Sequence, residues 1–323
     1  MFAKTFVLTV AICIMATAVS AKIWRVDSNT GNQADFSDLA QAHAGAESGD
    51  TLYVAGSLSE YADAPKDSVH ITKRLYIIGP GYFLQENFGN QSTILSATVK
   101  QHITFAKGSE GSLLTGMDVG LVKVLADRVV IKRNRCNTLT LLGSATNVAV
   151  LQNFFYRGGA SDYSFQAYAG VRNVVVNNNY IHRPKGTEGC CSFTNNVLDG
   201  AGGTLIISRC ILTNNIISSI SSSGASQLLD PTRNILSNNI RALDDSDIFV
   251  ESGTTDGQYK LRAGSSAIGA GVDGVDLGMF GGPEPYVLSG LTTLPSIYLL
   301  DVRTTGSTVN GLPVHLKART EKP

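Results

Sequence analysis

Six segments of this chain repeat one pattern, in which branched apolar residues run into an asparagine. The asparagines are Asn134, Asn153, Asn179, Asn196, Asn215 and Asn239. They are 19, 26, 17, 19 and 24 residues apart, and most are followed by an apolar residue such as Phe154 or Tyr180. A unit of this length is too short for a strand-helix-strand crossover, so each repeat contributes only one or two short strands.

A short strand of this kind cannot bury its apolar face by itself. Stacking successive coils about 4.8 Å apart pairs each strand with its copies above and below, and it lines up the inward side chains. Asparagine adopts the left-handed backbone of a tight corner at low cost and can stack amide on amide. The pattern therefore predicts an all-β parallel β-helix in which the six asparagines form a structural ladder. A leucine-rich repeat is disfavoured because the spaced leucines are missing, and a β-sandwich would need the repeats to arise by chance.

Both ends of the solenoid have segments of a different character. Residues Asp35 to Ala44 place apolar side chains at helical spacing, which predicts a capping helix before the first strand at Thr51 to Val54. A glycine-rich stretch, 259–282, is expected to form the final irregular coil. We assign residues 22–286 to the β-helix and 287–323 to a small C-terminal β tail, with strands near 297–302 and 312–318.

The first 21 residues have the features of a signal peptide. Lys4 precedes the apolar run Phe6 to Ala16, and Val19 to Ala21 offers small residues for cleavage. The run is shorter than the about 20 residues of a membrane-spanning helix, which disfavours an uncleaved anchor. We therefore predict a secreted or cell-surface protein, extracellular or periplasmic. Lys plus Arg and Asp plus Glu both number 26, so no net charge steers the chain to nucleic acid.

Two cysteines have matching positions in the repeat. Cys191 and Cys210 each lie five residues before a ladder asparagine, so they are predicted to stack on adjacent coils. A disulfide between them is one alternative. Parallel neighbours point their Cβ atoms the same way, which favours the other alternative, two stacked apolar side chains. The cysteines show no zinc-binding spacing.

The chain resembles the bacterial pectin-lyase-like right-handed parallel β-helix repeat proteins over residues 34–286. The resemblance is carried by Ser48 to Val54 after the helix, by the asparagine-ended coils, and by Gly264 to Gly271 followed by Asp276 to Gly278. It implies a right-handed solenoid. It does not imply one activity, since the group includes lyases, hydrolases, adhesins and non-catalytic surface proteins.

The catalytic motifs of these enzymes do not occur here as a set. The chain has no mid-helix aspartates of the kind that hold Ca²⁺ in pectate lyases, and the hydrolase motifs are reduced to Asp244-Asp245, after the last clear coil. Those aspartates, with Asp247, are expected to lie in a solvated loop. We therefore expect no metal site and no cofactor, with Ca²⁺ as the one open alternative.

Aromatic and basic residues concentrate around the longest insertion, between Asn153 and Asn179. The candidate ligand-binding residues are Tyr156, Arg157, Tyr168, Arg172, His182, Arg183 and Lys185. Aromatic faces bind sugar rings and basic groups bind acidic ones, although loop packing and solvated strand charge explain the same residues. His182 is the best candidate for proton transfer. The sequence predicts a non-catalytic exported protein that binds glycans, such as a polysaccharide, or acts structurally. The alternative is a polysaccharide lyase or glycoside hydrolase with a divergent active site.

Overall fold

A computed structural model confirms the predicted all-β parallel solenoid. It describes residues 21–61, 69–84, 94–156, 163–186, 191–201, 205–219, 221–223, 228–243, 245–252, 257–286, 296–302, 305 and 312–319. The predicted signal peptide lies outside these residues except for Ala21. Within the described ranges, no helix is both long enough and apolar enough to cross a membrane.

Ten parallel strands form the first sheet, which we call sheet A. In spatial order they are β1 (Ile23–Val26), β2 (Thr51–Val54), β4 (Tyr76–Ile78), β6 (Leu113–Thr115), β8 (Val130–Lys132), β10 (Ala149–Leu151), β13 (Val174–Asn177), β16 (Cys191–Thr194), β19 (Ile211–Thr213) and β21 (Ile235–Ser237). Each strand pairs in register with the next coil, so side chains align in columns along the solenoid.

The second sheet, sheet B, has two limbs. It begins with β3 (Val69–Ile71), β5 (Thr98–Phe105), β7 (Asp118–Val124) and β9 (Arg135–Leu141). Later coils divide into two strands where the chain bends. The first limb comprises β11 (Phe154–Phe155), β14 (Tyr180–His182), β17 (Val197–Asp199), β20 (Ile216–Ser218) and β22 (Ile240–Arg241). The second limb comprises β12 (Phe165–Ala167), β15 (Pro184–Gly186) and β18 (Ile206–Ile207).

The interior is filled by aligned aliphatic and aromatic side chains. One inward column of sheet A contains Leu52, Ile77, Leu114, Ile131, Val150, Val176, Phe193 and Leu212, all fully buried. Strand alternation sends every second residue inward, which explains why the repeats are rich in branched residues.

The six asparagines occupy the corner between sheet A and the first limb. The residue before each has a left-handed backbone; examples are Asn178 at φ 54° and Asn195 at φ 57°. The side-chain oxygen of each asparagine from Asn153 onward accepts from the preceding asparagine of the ladder, and that of Asn134 accepts from Met117 N. For example, Asn196 Oδ1 accepts from Asn179 N at 2.9 Å and Asn179 Nδ2 at 3.0 Å. The amide nitrogens also donate to backbone carbonyls; Asn196 Nδ2, for example, bonds to the carbonyls of Val176 in the preceding coil and Thr194 in its own. The ladder therefore links neighbouring coils at this corner.

The cysteine pair lies at the start of β16 and just before β19. Because Ser192 pairs with Ile211, Cys191 and Cys210 are neighbours in register. Both side chains are buried, and no disulfide joins any cysteines in the described ranges. The geometry corresponds to the stacked arrangement. Cys190 lies outside the described residues.

The N-terminal helix does not precede the first strand, contrary to the prediction. Helix α1 (Leu39–Gly45) follows β1, which forms the edge of sheet A. The helix begins four residues later than expected because Asp38 caps it, accepting a hydrogen bond from Gln41 N at 2.7 Å. The backbone amides of Asp35 and Phe36 instead donate to the Arg25 carbonyl in β1. It packs against β1 and β3, at the N-terminal end of the solenoid.

The glycine-rich stretch is not a final coil, which corrects a second prediction. Residues 267–286, here called the return strap, run back along the outside of the solenoid. Their partners occur in reverse order: Ala270 bonds to Asn214, Val272 to Asn195, Gly278 to Asn178 and Gly281 to Gln152. The strap thus reaches coils about a hundred residues earlier in the chain.

The strap covers an apolar column on the outer face of the first limb. The residues directly after the ladder asparagines point outward and align as Phe154, Tyr180, Val197, Ile216 and Ile240. They pack with Ala267, Leu277, Met279 and Tyr286 of the strap in a second hydrophobic cluster. This explains why an apolar residue follows the asparagines although the position faces away from the main core.

The C-terminal tail contains the predicted pair of strands. Strands β23 (Ser296–Val302) and β24 (Val314–Arg319) form an antiparallel hairpin. Its described side chains are exposed, as in Leu300 and Val314.

We predict that Asn196→Leu will lower the free energy of unfolding by about 1–3 kcal/mol, because it removes buried hydrogen bonds on both sides of the ladder. Ser237→Leu introduces a leucine at an exposed position on β21 of the same sheet and should alter stability by no more than about 0.5 kcal/mol. Urea unfolding followed by circular dichroism measures both. Equal effects of the two substitutions would contradict a special role for the ladder.

We predict that Gly281→Ala will loosen the return strap. A Cβ atom at this glycine would lie 1.8 Å from the Asp276 carbonyl oxygen, a distance that backbone atoms cannot tolerate. Gly186→Ala is the control, because its Cβ would meet the Phe193 ring at 3.5 Å. Limited proteolysis should cut the strap of Gly281→Ala faster than that of Gly186→Ala. Equal resistance would show that the tight turn at Gly281 is not needed.

Candidate functional site

A polar column lies on the outer face of the first limb, three residues beyond the ladder asparagines. His182, Asp199 and Ser218 pair directly in register on β14, β17 and β20. Tyr156 precedes them in this column, one residue beyond the pairing of Phe155 with Ile181. The ladder thus brings together side chains that are 17 to 26 residues apart in the sequence.

The carboxylate of Asp199 is the centre of a hydrogen-bond group. Its Oδ2 lies 2.7 Å from His182 Nδ1 and accepts from Tyr180 Oη at 3.0 Å, while Oδ1 accepts from the Ala201 amide at 2.8 Å. Asp199 is buried, and the His182 side chain is one-quarter exposed. A carboxylate at Nδ1 orients the imidazole and leaves Nε2 on the opposite side of the ring.

Two tyrosines adjoin this group: Tyr180 is buried, Tyr259 is partly buried, and their ring centroids lie 4.8 Å apart. Burial and the nearby Asp199 charge raise the pKa of Tyr180 well above 10.0. Burial also raises the pKa of Tyr259, with the Asp245 charge as the next cause. Asp245 accepts a hydrogen bond from Ser218 Oγ at 2.5 Å, so it is held against the column, contrary to the expected solvated loop. Asp247 is exposed, as predicted. Asp244 lies outside the described residues.

Aromatic and basic side chains meet beside the column, where the chain turns into the second limb. Lys185 Nζ lies 5.5 Å from the centre of the Tyr163 ring and 5.6 Å from that of Tyr168. The Arg183 guanidinium lies 5.5 Å from the same Tyr163 ring. We call these four residues the tyrosine-lysine surface. Tyr168 is 42% exposed, so part of this residue remains accessible to solvent.

The predicted ligand residues are therefore only partly assembled. His182, Arg183, Lys185 and Tyr168 share one region. Tyr156 lies under the Arg135 guanidinium at 4.1 Å. Arg172 lies at the corner before β13, in a backbone bridge with Thr146. Arg157 is outside the described residues.

Sequence reasoning did not identify Asp199, although a signal was present. His182 lies three residues after Asn179, and Asp199 lies three residues after Asn196. Residues at equal offsets from the ladder asparagines are predicted to be neighbours on adjacent coils. The shared offset of three residues would therefore have identified His182 and Asp199 as a pair.

The described part of the chain contains no group of three or more His, Cys, Asp or Glu side chains that could hold a metal ion. Asp276 in the strap, one of the acidic residues of the glycine-rich stretch, accepts from the Gly269 amide at 2.8 Å. No protein-family model matches this chain, and no curated protein matches it.

We predict that the protein loses stability above pH 10. Tyr180 has a raised pKa in the folded state, so its contribution is fully present below the unfolded value of 10.0 and falls as the pH rises toward the folded value. The free energy of unfolding should fall by up to about 1.4 kcal/mol per pH unit for each tyrosine that is protonated in the folded state and ionised in the unfolded state.

Urea unfolding between pH 8 and pH 11.5 measures this decline. Tyr180→Phe should flatten it and should cost about 0.5–1.5 kcal/mol at pH 8, where the hydrogen bond to Asp199 is lost. Tyr53→Phe, at an exposed position on β2, is the control. An unchanged decline in Tyr180→Phe would contradict the assignment.

Proposed function

We propose that this chain is an exported β-helix protein of the pectin-lyase-like group that binds acidic glycans at the cell surface or outside the cell without cleaving them. The tyrosine-lysine surface carries the proposal, because it holds a lysine ammonium between two tyrosine rings. Export is supported by the leader-like residues 1–21. Membership of the group is supported by the parallel solenoid and its asparagine ladder.

The chemistry of the surface matches an acidic sugar. A pyranose ring has an apolar face that stacks on an aromatic side chain such as Tyr168. Its carboxylate or sulfate group would meet Lys185 and Arg183, which carry the positive charge of this region. A purely structural role would not require these exposed aromatic and basic groups to lie side by side.

One observation favours a second candidate, a polysaccharide lyase or glycoside hydrolase with a divergent active site. His182 is oriented by the buried Asp199 carboxylate at 2.7 Å, beside the same surface. An imidazole held in this way can take or give a proton at Nε2. The candidate lacks a second described group placed to complete either reaction.

We predict that the protein binds polygalacturonate and alginate in affinity electrophoresis and calorimetry. Lys185→Ala and Tyr168→Ala should each weaken binding about tenfold, corresponding to about 1.4 kcal/mol. Lys107→Ala, at an exposed turn far from the site in sequence, should bind as the wild type does. Binding should weaken as salt increases, because screening acts on the exposed cations. Failure of both glycans to bind would refute the proposal.

The same mixtures separate binding from catalysis. Size-exclusion chromatography after prolonged incubation, with and without Ca²⁺, should show glycans of unchanged length. Shortened products from the wild type, but not from His182→Asn, would instead establish the second candidate.

A further inference from the structure

The outer face of sheet A carries an apolar column that runs the whole length of the solenoid. The register of the ten strands aligns one outward residue from each coil, and we call this column the outer ridge. Its members, in spatial order, are Ile23, Thr51, Tyr76, Leu113, Val130, Ala149, Val175, Ser192, Ile211 and Ile235. All but Thr51 and Ser192 are aliphatic or aromatic, and none is charged.

The outer ridge is open to solvent along this length. Ile23 and Ile235, at its two ends, are 67% and 68% exposed, Val175 is 48% exposed, and every other member is at least partly exposed. The molecule covers its other outward apolar column, on the first limb, with the return strap, so that Val197 there is fully buried. A long apolar patch left exposed marks a surface on which another molecule packs.

The dimensions of the face determine what can cover it. Ten coils spaced about 4.8 Å apart extend over about 45 Å, and three or four residues per strand give a width of about 10–13 Å. Each face therefore measures about 500–600 Å², and two such faces in contact bury more than about 1,000 Å², enough for a specific protein–protein interface. The β23–β24 hairpin has strands of only seven and six residues, which span about half of the ridge.

The neighbouring outward column decides how two such faces can fit together. It lies two residues further along each strand, is mixed in character, and contains Arg25 and Lys132. In a two-fold dimer with parallel solenoid axes, the ridge of each copy would meet this mixed column of the other. With antiparallel axes, ridge meets ridge, Ile23 faces Ile235 of the other copy, and the two Arg25 side chains lie at opposite ends. The antiparallel arrangement therefore matches apolar residues along the whole face.

We propose that the outer ridge is the interface of a homodimer, in which two copies of this chain pack sheet A against sheet A with antiparallel solenoid axes. Sheets that pack face to face lie about 10 Å apart, which lets the side chains of the two ridges interdigitate. The contact uses the same patch on both copies and closes after two. Lys185 and the rest of the tyrosine-lysine surface are built around sheet B, so the dimer does not depend on glycan binding.

Sedimentation velocity of the purified protein over a wide range of concentration tests this proposal. The wild type should show a reversible monomer–dimer equilibrium that persists at 0.5 M NaCl, because screening does not weaken an apolar contact. Ile211→Glu and Val175→Glu should each raise the dimer dissociation constant at least about tenfold, because each buries an unpaired carboxylate in the interface. Ile206→Glu is the matched control. Ile206 lies on β18 of sheet B with an exposure of 39%, against 43% for Ile211, and the variant should dimerise as the wild type does.

Charge rescue tests the antiparallel orientation. Ile23→Lys and Ile235→Glu should each dimerise weakly alone, whereas an equimolar mixture at low salt should form heterodimers, because the new lysine and glutamate face each other. Absence of rescue would overturn the antiparallel arrangement.

Three other results would overturn the proposed interface. They are a monomer at every concentration, wild-type dimerisation by both Ile211→Glu and Val175→Glu, and dissociation of the wild-type dimer by salt. Loss of dimerisation in Leu300→Ser, at an exposed position of the hairpin, would place the interface there instead and would also overturn it. Circular dichroism of each variant confirms that the monomer stays folded.

Discussion

The asparagine ladder is the constraint on which the rest of the structure depends. Each amide accepts from one neighbouring coil and donates to another, so a coil displaced by one residue would lose bonds on both sides. The corner thereby fixes the same register in every turn. A residue at a given offset from an asparagine always falls in the same column, whether that column lies in the core, beneath the strap or at the candidate site. Local backbone geometry at one corner thus organises contacts across the whole molecule.

The fixed register produces two apolar layers instead of one. Residues three positions before the asparagines, such as Val176 and Phe193, fill the interior, whereas residues one position after them, such as Phe154 and Tyr180, face outward. The outer layer needs a cover, and the return strap supplies it. The strap also borders a cavity of about 180 Å³ beside sheet A, where Pro283 and Glu284 face Leu151 and Asn177. One segment therefore completes an outer core and forms the wall of a surface cleft.

Much of the solenoid could be predicted because its order is periodic. The strands, the ladder and the cysteine stacking all follow from offsets within about twenty residues. The strap could not be predicted in this way, since its partners lie up to about 130 residues earlier and follow no period. The glycines that favoured a final coil instead permit close approach, as Gly281 does beside Asp276. The helix was predicted to start four residues too early because Phe36 fits the helical spacing of the residues after it, whereas Phe36 in fact pairs with Val26 of β1.

The candidate site likewise combines features that the sequence indicates with contacts that only the fold produces. His182 could be selected by its position near a strand end, but its chemistry depends on Asp199, one coil away. The tyrosine-lysine surface combines residues from both sides of a corner, so composition indicated the region and only the fold arranged the rings around Lys185. Arg172 is close to Tyr168 in sequence, but it lies at another corner of the coil because the chain turns between these two residues.

The direction of the return strap has a consequence for the order in which the molecule can be completed. A ribosome makes the chain from the N-terminus, so each coil can stack on finished neighbours as it emerges. The strap is among the last segments made, and it runs back over coils that are already assembled. Phe154, Tyr180 and Val197 must therefore stay in contact with water, or with a chaperone, until residues 267–286 arrive. A chain truncated before residue 267 would therefore carry an uncovered apolar stripe across five coils.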